Sequence, residues 1–306
     1  MSSPAPHPLL DPAVTAAVER AARAHLGHPW RSQHFTSLDE RSSHPCGILD
    51  GERLSIFAKL GSSPDQFAAE LAGLRLLSQR AGIRTPNPVA TGLVDLPPGR
   101  VLLLFEALPE RPPDARQRAD WASIGQVLAT VHQATSPQFG LDQDNFFGPL
   151  PQDNRPAPTW SAFFRDRRLL PLLEAATASG HLPADLAIGL ARIAGRLPGL
   201  CGPDPYPTLM HGDAQHHNFI STPAGAVVID ACPYFGHPEI DLAQLGFFHP
   251  VPAGVFAAYR DITRIDPGYP DREELWRLPT YLAIVAVAPA PGPYLTRLTR
   301  AVRRYA

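Results

Sequence analysis

The sequence predicts an α+β protein of two lobes. One is an antiparallel β-sheet lobe with one main helix over residues 1–108, and the other is a mostly helical lobe over residues 109–306. Three observations predict this. Short apolar runs separated by turn residues dominate up to residue 108, the pattern of strands joined by hairpins. Beyond it, apolar residues recur at three- and four-residue spacing, the pattern of amphipathic helices. The 306 residues exceed the needs of one small domain and suit two lobes sharing a cleft.

Asp11-Pro12 places an acid at a helix cap and a proline in its first turn, and Val14, Val18, Ala22 and Leu26 then share one face until Gly27. Strands follow over 33–38, 47–49 and 54–60, with a polar loop over 39–44 and a hairpin turn at Asp50-Gly51. Helical spacing of Phe67, Leu71, Leu74 and Leu77 marks a helix over 64–81. Residues 86–94 and 101–105 read as two more strands, and 106–110 as a linker. Helices are expected over 118–134, 159–179, 183–197 and 239–248, with weaker candidates in 255–305. The exception in this lobe is a hairpin within 208–230, ending in the apolar run Ala226-Val227-Val228-Ile229.

Composition excludes several classes. Hydrophobic residues make up 44% and charged residues 18%, so the signature of a disordered chain is missing. The 27 basic and 29 acidic residues nearly cancel, which leaves no footprint for gripping nucleic acid or an anionic membrane and favours a small-molecule partner. The apolar stretch 281–288 is too short to cross a bilayer. Cys46, Cys201 and Cys232 show no disulfide or zinc spacing, and a reducing cytoplasm suits them. Residues 1–6 lack the pattern of a secretory signal and read as a frayed tail. The 36 prolines stiffen the connecting segments. Lys59 is the one lysine in the chain; every other basic residue is arginine.

The densest polar cluster is His211-Gly212-Asp213-Ala214-Gln215-His216-His217-Asn218, followed by a hairpin that ends at Asp230. The interval from Asp213 to Asn218 is that of a kinase catalytic loop, in which the Asp takes or orients a hydroxyl proton and the Asn holds Mg²⁺. The hairpin returns the chain so that Asn218 and Asp230 flank one cation, a hard ion bound through oxygen and bridged to phosphates. Lys59, on a strand, and Glu70, on the following helix, suit the phosphate-binding ammonium and its partner. A chain that otherwise uses arginine keeps lysine where a compact ammonium is needed.

At these residues the sequence resembles the protein-kinase-like phosphotransferases of small molecules, a superfamily that includes the aminoglycoside and choline kinases. Within it the chain is most similar to the fructosamine (ketosamine) kinases. Asn145-Phe146-Phe147-Gly148-Pro149 through Asn154, Thr159-Trp160 through Pro171, and Ile229-Asp230 through Tyr234, His237 and Asp241-Leu242 carry the likeness. The resemblance implies a bilobal protein-kinase-like fold and transfer of the γ-phosphoryl group of ATP, with GTP as an alternative, to a hydroxyl of a sugar-like acceptor. Asp213 is then the base, and Asn218 and Asp230 hold Mg²⁺. Lys59 and Glu70 meet the phosphates, and the backbone from Glu106 to Leu108 receives adenine. Asp241 braces the catalytic loop. Ser42-Ser43 stands where a serine-bearing turn covers the phosphates in this superfamily. His216, His217, Asp144 and Tyr234 are the candidates for acceptor contact. Family members carry Leu-Trp after the catalytic Asp, whereas Ala214-Gln215 stands here and removes a flat surface beside the acceptor.

The principal rival is an antibiotic-inactivating O-phosphotransferase. Residues 140–306 hold 16 acidic residues against 14 arginines, too balanced for a pocket built for polycations. A non-catalytic nucleotide-binding protein ranks lower, because the Lys, Glu, Asp, Asn, Asp set is complete. A transition-metal site or metal-dependent hydrolase built on His211, Asp213, His216 and His217 ranks below the kinase reading, since no Glu-x-x-His helix frames the cluster. A monomer or homodimer is expected.

Overall fold

The computed structural model describes residues 6–306. Of the frayed tail expected at residues 1–6, residues 1–5 lie outside the described residues. The first lobe is a five-stranded antiparallel sheet of β1 (His34–Ser37), β2 (Cys46–Asp50), β3 (Ser55–Gly61), β4 (Pro88–Leu96) and β5 (Arg100–Glu106), in the order β1-β2-β3-β5-β4. Helix α1 (Pro12–Leu26) starts at the Asp11 cap, whose carboxylate accepts from the Ala13 and Val14 N–H groups, and ends at left-handed Gly27. It covers one face of the sheet, where Val14, Val18, Leu49, Ile56, Leu102 and Leu104 form a separate apolar core. Helix α2 (Pro64–Ala81), capped by Ser63, spans the expected residues. Its Phe67, Leu71, Leu74 and Leu77 join the main core shared with the second lobe.

The second lobe comprises α3 (Arg118–Val131), α4 (Trp160–Phe163), α5 (Leu170–Ala178), α6 (Ala184–Leu200), α7 (Glu239–Leu245), α8 (Ala253–Arg260), α9 (Tyr269–Trp276), α10 (Leu278–Val287) and α11 (Gly292–Tyr305). Between α4 and α5 a π-helical stretch, Phe164–Leu169, runs on without a break. This interrupts the single helix expected over 159–179 and lets the buried Arg168 reach the Asp153 carbonyl at 2.9 Å. Helix α6 continues through Pro198 to Leu200, beyond its expected end. Trp160, Phe163 and Phe164 are fully buried in the main core.

Small strands fill the gaps between these helices. The segment 145–152, read as connecting chain, is a hairpin of β6 (Asn145–Phe147) and β7 (Leu150–Gln152). Proline at 151 conceals it from a propensity reading, because proline is tolerated only at an unpaired edge. β8 (Thr208–Leu209) pairs with β11 (Phe235–Gly236), and between them lies the expected hairpin of β9 (Phe219–Thr222) and β10 (Gly225–Val228). Among the described residues no helix is long and apolar enough to cross a membrane.

Helix α2 docks on the second lobe by backbone proximity at Gly73. A Cβ there would lie 2.7 Å from Pro233 Cδ and 2.9 Å from the Ala231 carbonyl, closer than packing allows. Gly195, in α6, faces open space. Helix propensity alone favours alanine over glycine by about 1 kcal/mol at both positions. Gly195→Ala is therefore expected to raise the denaturation midpoint and Gly73→Ala to lower it, by about 1–3 kcal/mol in the second case. Equal gains in both variants, measured by urea titration, would sink the docking argument.

Candidate active site

The catalytic loop is built from its supports outward. Asp241, in the first turn of α7 and fully buried, accepts from the His211 N–H at 2.6 Å and the Gly212 N–H at 3.1 Å. His132, at the end of α3, bridges Asp241 (3.1 Å) to the Tyr259 hydroxyl (2.8 Å). One carboxylate thus fixes two successive backbone donors, and two buried side chains fix the carboxylate. Gly212 adopts φ 87° and lies against the Cys232 carbonyl so closely that no Cβ fits. His211 accepts from the Asp213 N–H through Nδ1 at 3.2 Å, which turns Asp213 toward the cleft.

Two amides hold Asp213. Gln215 Nε2 donates to its Oδ2 at 3.1 Å, and Asn218 Nδ2 donates to the same oxygen at 3.0 Å and to the Asp213 carbonyl at 2.9 Å. The loop stays in place because the Ile229 N–H bonds the Asn218 carbonyl at 3.0 Å, closing the β9–β10 hairpin. Asp230 follows at φ 49°, a left-handed conformation that side chains rarely adopt and that the surrounding bonds impose.

Lys59 arrives from β3. Its Nζ lies 2.8 Å from Glu70 Oε2 and 2.8 Å from Asp230 Oδ1, with the lysine side chain 8% exposed. Burial works against its charge, but the two carboxylates outweigh burial and hold its pKa above the ordinary lysine range. Burial, with Asp230 beside it, pushes Glu70 up to about 8 despite Lys59. Asp230 goes the other way: enclosure raises it, and Lys59 more than compensates and holds it well below the carboxylate range.

These groups line one cavity of about 440 Å³ between the lobes. Ser42, Ser43, Lys59, Glu70, Glu106, Leu108, Asp213, His217, Asn218 and Asp230 all face it, so most of the residues singled out in the sequence are brought together. Three are not. Tyr234 is buried beneath the site, stacked on Phe163 at 5.5 Å, with the Arg168 guanidinium 4.0 Å over its ring. The unbroken apolar run Ala231-Cys232-Pro233-Tyr234-Phe235, buried throughout, was the signal for a core position. Asp144 is an exposed turn residue whose carboxylate accepts from the Asn154 N–H at 2.7 Å. His216 is buried behind the loop, where Arg116 donates to its carbonyl at 2.9 Å. Burial, followed by the neighbouring His217 and Arg116, pushes its imidazole down to about 3.

Further cleft residues went unread in the sequence. Arg41, in the loop before β2, forms a two-bond ion pair with Glu110 at 2.6 and 2.8 Å, joining that loop to the linker. Phe146 and Phe147 of β6 line the cavity, and Gln66 of α2 donates to the Gly148 carbonyl at 3.0 Å, tying the β6–β7 hairpin to the first lobe. Such contacts join residues 69 and 82 positions apart and leave no local pattern.

Comparison with known proteins matches this architecture. The fructosamine kinase family profile matches residues 14–304. The chain belongs to the fructosamine kinase family. A protein named "Probable ketoamine kinase" from Synechocystis sp. is 32% identical over 279 residues, covering 89% of this chain and 90% of its own. A crystal structure assigned to the fructosamine-3-kinases, from Haemophilus somnus, superposes with a TM-score of 0.83 at 22% identity, covering 95% of this chain and 97% of that one. An aminoglycoside phosphotransferase solved with ADP and hygromycin B shares the fold at a TM-score of 0.64 and 16% identity, covering 95% and 99%. The protein is thus an ATP-dependent kinase with the bilobal kinase-like fold.

Burial pushes the Asp213 carboxyl up to about 7, with Asp230 adding to it and the Gln215 and Asn218 amides opposing. With Asp213 as the proposed base, which works only when deprotonated, kcat/KM for the acceptor is expected to rise with pH along a limb near 7. The folded chain holds this proton between the ordinary carboxyl range and about pH 7, where the unfolded chain has lost it. Stability therefore falls as pH rises through that window. Asp213→Asn is expected to be more stable than the parent at pH 8, with the gain vanishing near pH 4. A limb below pH 5 together with equal stability at pH 8 would contradict this assignment.

Proposed function

We propose that the protein transfers the γ-phosphoryl group of Mg²⁺·ATP to a hydroxyl of a sugar-like small molecule of the ketosamine type. The observation that carries the reading is the Lys59 ammonium at 2.8 Å from both Glu70 and Asp230, in the same cavity as Asp213 and Asn218. A phosphate-binding cation, two oxygen ligands for a metal and a base all face one space.

The donors suit a hard divalent cation. Asn218 spends its amide N–H groups on Asp213, which leaves its Oδ1 as an acceptor, and Asp230 uses Oδ1 for Lys59 and keeps Oδ2. Amide and carboxylate oxygens on two sides of a hairpin match Mg²⁺, which completes its shell with phosphate and water. When bound, the metal and nucleotide supply the phosphoryl group and neutralise the charge that moves with it.

The chain's own groups supply position and a proton acceptor. Gln215 and Asn218 both donate to Oδ2 of Asp213, so Oδ1 is the oxygen left to take the acceptor's hydroxyl proton. The Lys59 ammonium, held by Glu70, faces the phosphates. At the linker, the Glu106 N–H is taken by the Asn87 carbonyl and the Ala107 N–H by the Ser55 carbonyl. The Leu108 N–H has no partner among the described residues, which suits it to an adenine ring nitrogen. The Glu106 side chain turns away to Asn87 and His25, so its part is the backbone alone. Ser42 and Ser43 line the cavity beneath the Arg41–Glu110 clasp, where a phosphate chain would run. The cysteines are buried and unpaired, in keeping with a reducing cytoplasm.

The test has two parts. Asp213→Asn is expected to lower turnover by about a thousandfold or more, while nucleotide affinity, read by calorimetry, changes by less than about threefold. Unchanged turnover would remove Asp213 from the chemistry. The acceptor is read by presenting a fructosyl-lysine analogue beside a panel of hydroxylated antibiotics. Phosphorylation of the analogue supports the ketosamine class, and transfer to an antibiotic alone would replace it with a resistance kinase.

A further inference from the structure

Three imidazoles converge where the catalytic loop meets the segment after α7. His216 and His217 stand on the 3-10 turn His216–Asn218, and His249 reaches them from the other side. One ligand nitrogen from each lies within 4.8 Å of the other two. The His217 and His249 rings stack at 5.6 Å with 15° between their planes, and His216 lies 4.0 Å from His217 between centroids. The sequence separates His249 from the pair by more than thirty positions. The metal reading weighed on the sequence joined the two histidines to His211 and Asp213, whereas in the fold His211 Nδ1 accepts from the Asp213 N–H, the Asp213 carboxylate takes the Gln215 and Asn218 amides, and His249 stands beside the pair.

A second observation points to a ligand. His216 is 5% exposed, and its Nε2 is buried without a hydrogen-bond partner. A buried polar atom with no partner is costly, and native structures rarely leave one so. His217 and His249 are exposed, and their rings can turn to bring ligand nitrogens that lie within 4.8 Å of one another to the separation of about 3.3 Å that metal–nitrogen distances of about 2.0–2.1 Å demand at tetrahedral angles.

We propose that His216, His217 and His249 form a site for a first-row transition ion of the zinc class, distinct from the oxygen ligands Asn218 and Asp230. Three neutral imidazoles are a known ligand set for zinc, with the fourth position left to water or an anion. The surroundings select the ion. The Arg116 guanidinium, held by the carbonyls of His216 and Phe219, lies 3.3 Å from His216 Nδ1 and opposes any cation. Ions that bind nitrogen weakly, such as Mg²⁺ and Ca²⁺, cannot offset that repulsion, whereas ions with strong bonds to imidazole can. Binding at Nε2 puts the proton on Nδ1, so the guanidinium shifts toward its two carbonyls. Occupancy ties the loop bearing Asp213 and Asn218 to the segment that follows α7.

The site is tested with Co²⁺ on the full chain, in excess Mg²⁺ to fill oxygen sites and without nucleotide or acceptor. The outcome is thus independent of the kinase reading. The expected result is an intense visible band of nitrogen-ligated tetrahedral cobalt that saturates at one equivalent and is displaced by Zn²⁺. His249→Ala is expected to weaken binding about tenfold or more, and His249→Cys, which restores a ligand, to recover it. His249 is exposed, so the variants' thermal midpoints without added metal are expected to match the parent's. Only the faint spectrum of octahedral, oxygen-bound cobalt, or equal affinity in parent and His249→Ala, would overturn the site.

Discussion

The Lys59 ammonium makes one ion pair within its own lobe, to Glu70 of α2, and one across the cleft, to Asp230, each at 2.8 Å. Burying such a charge costs several kcal/mol, and an apolar residue of similar volume often serves stability as well. Stability alone therefore does not explain why a chain with 27 basic residues places its single lysine at this point. The geometry does. A compact ammonium between two carboxylates sets the distance between strand β3 and the segment after β10, and so the width of the cavity. Arginine, with a wide planar fork, would set a different one.

That constraint reaches the loop through short connections. Asp230 sits at φ 49°, and Gly73 of α2 packs against Ala231 and Pro233 just beyond it. The same short segment therefore receives the ammonium, bears backbone strain and forms the contact between lobes. On the opposite wall, Asp241 binds two backbone N–H groups of the loop and is itself held by His132 and Tyr259. Strain at Asp230 persists because the lobe contact and the hairpin bond from Ile229 to Asn218 overdetermine its position. Asp213 and Asn218 are thus loop residues fixed by buried supports.

The parts of the fold that the sequence revealed are those governed by local rules. Asp50-Gly51, the Asp11 cap and the apolar stripe of α2 each act within a few residues, and their elements lie where expected. The loop from His211 to Asn218 was legible because its chemistry demands fixed spacing. What stayed hidden depends on tertiary pairing. The β6–β7 hairpin was masked by its proline, and the Arg41–Glu110 clasp joins residues 69 positions apart. Tyr234 was misplaced because a motif position was taken for an exposed one, although its neighbours Ala231, Cys232 and Phe235 are all buried. Asp241 was legible as a brace, but its support by His132 was not, since a histidine beside Val131 reads as packing.

Replacing the family's tryptophan by Gln215 changes more than the area of the acceptor wall. The amide takes hold of Asp213 directly, at 3.1 Å, so the position that bears a flat surface in the family instead holds the proposed base. Apolar surface in the cavity then has to come from elsewhere. Phe146 and Phe147 supply it from the β6–β7 hairpin, which Asn145 anchors to the Pro233 carbonyl and Gln66 ties to α2. An aromatic surface on this hairpin takes its supports from both lobes, whereas one inside the loop would be held by Asp241. The aromatic lining of the cavity is therefore anchored in both lobes, as is the Lys59 pairing.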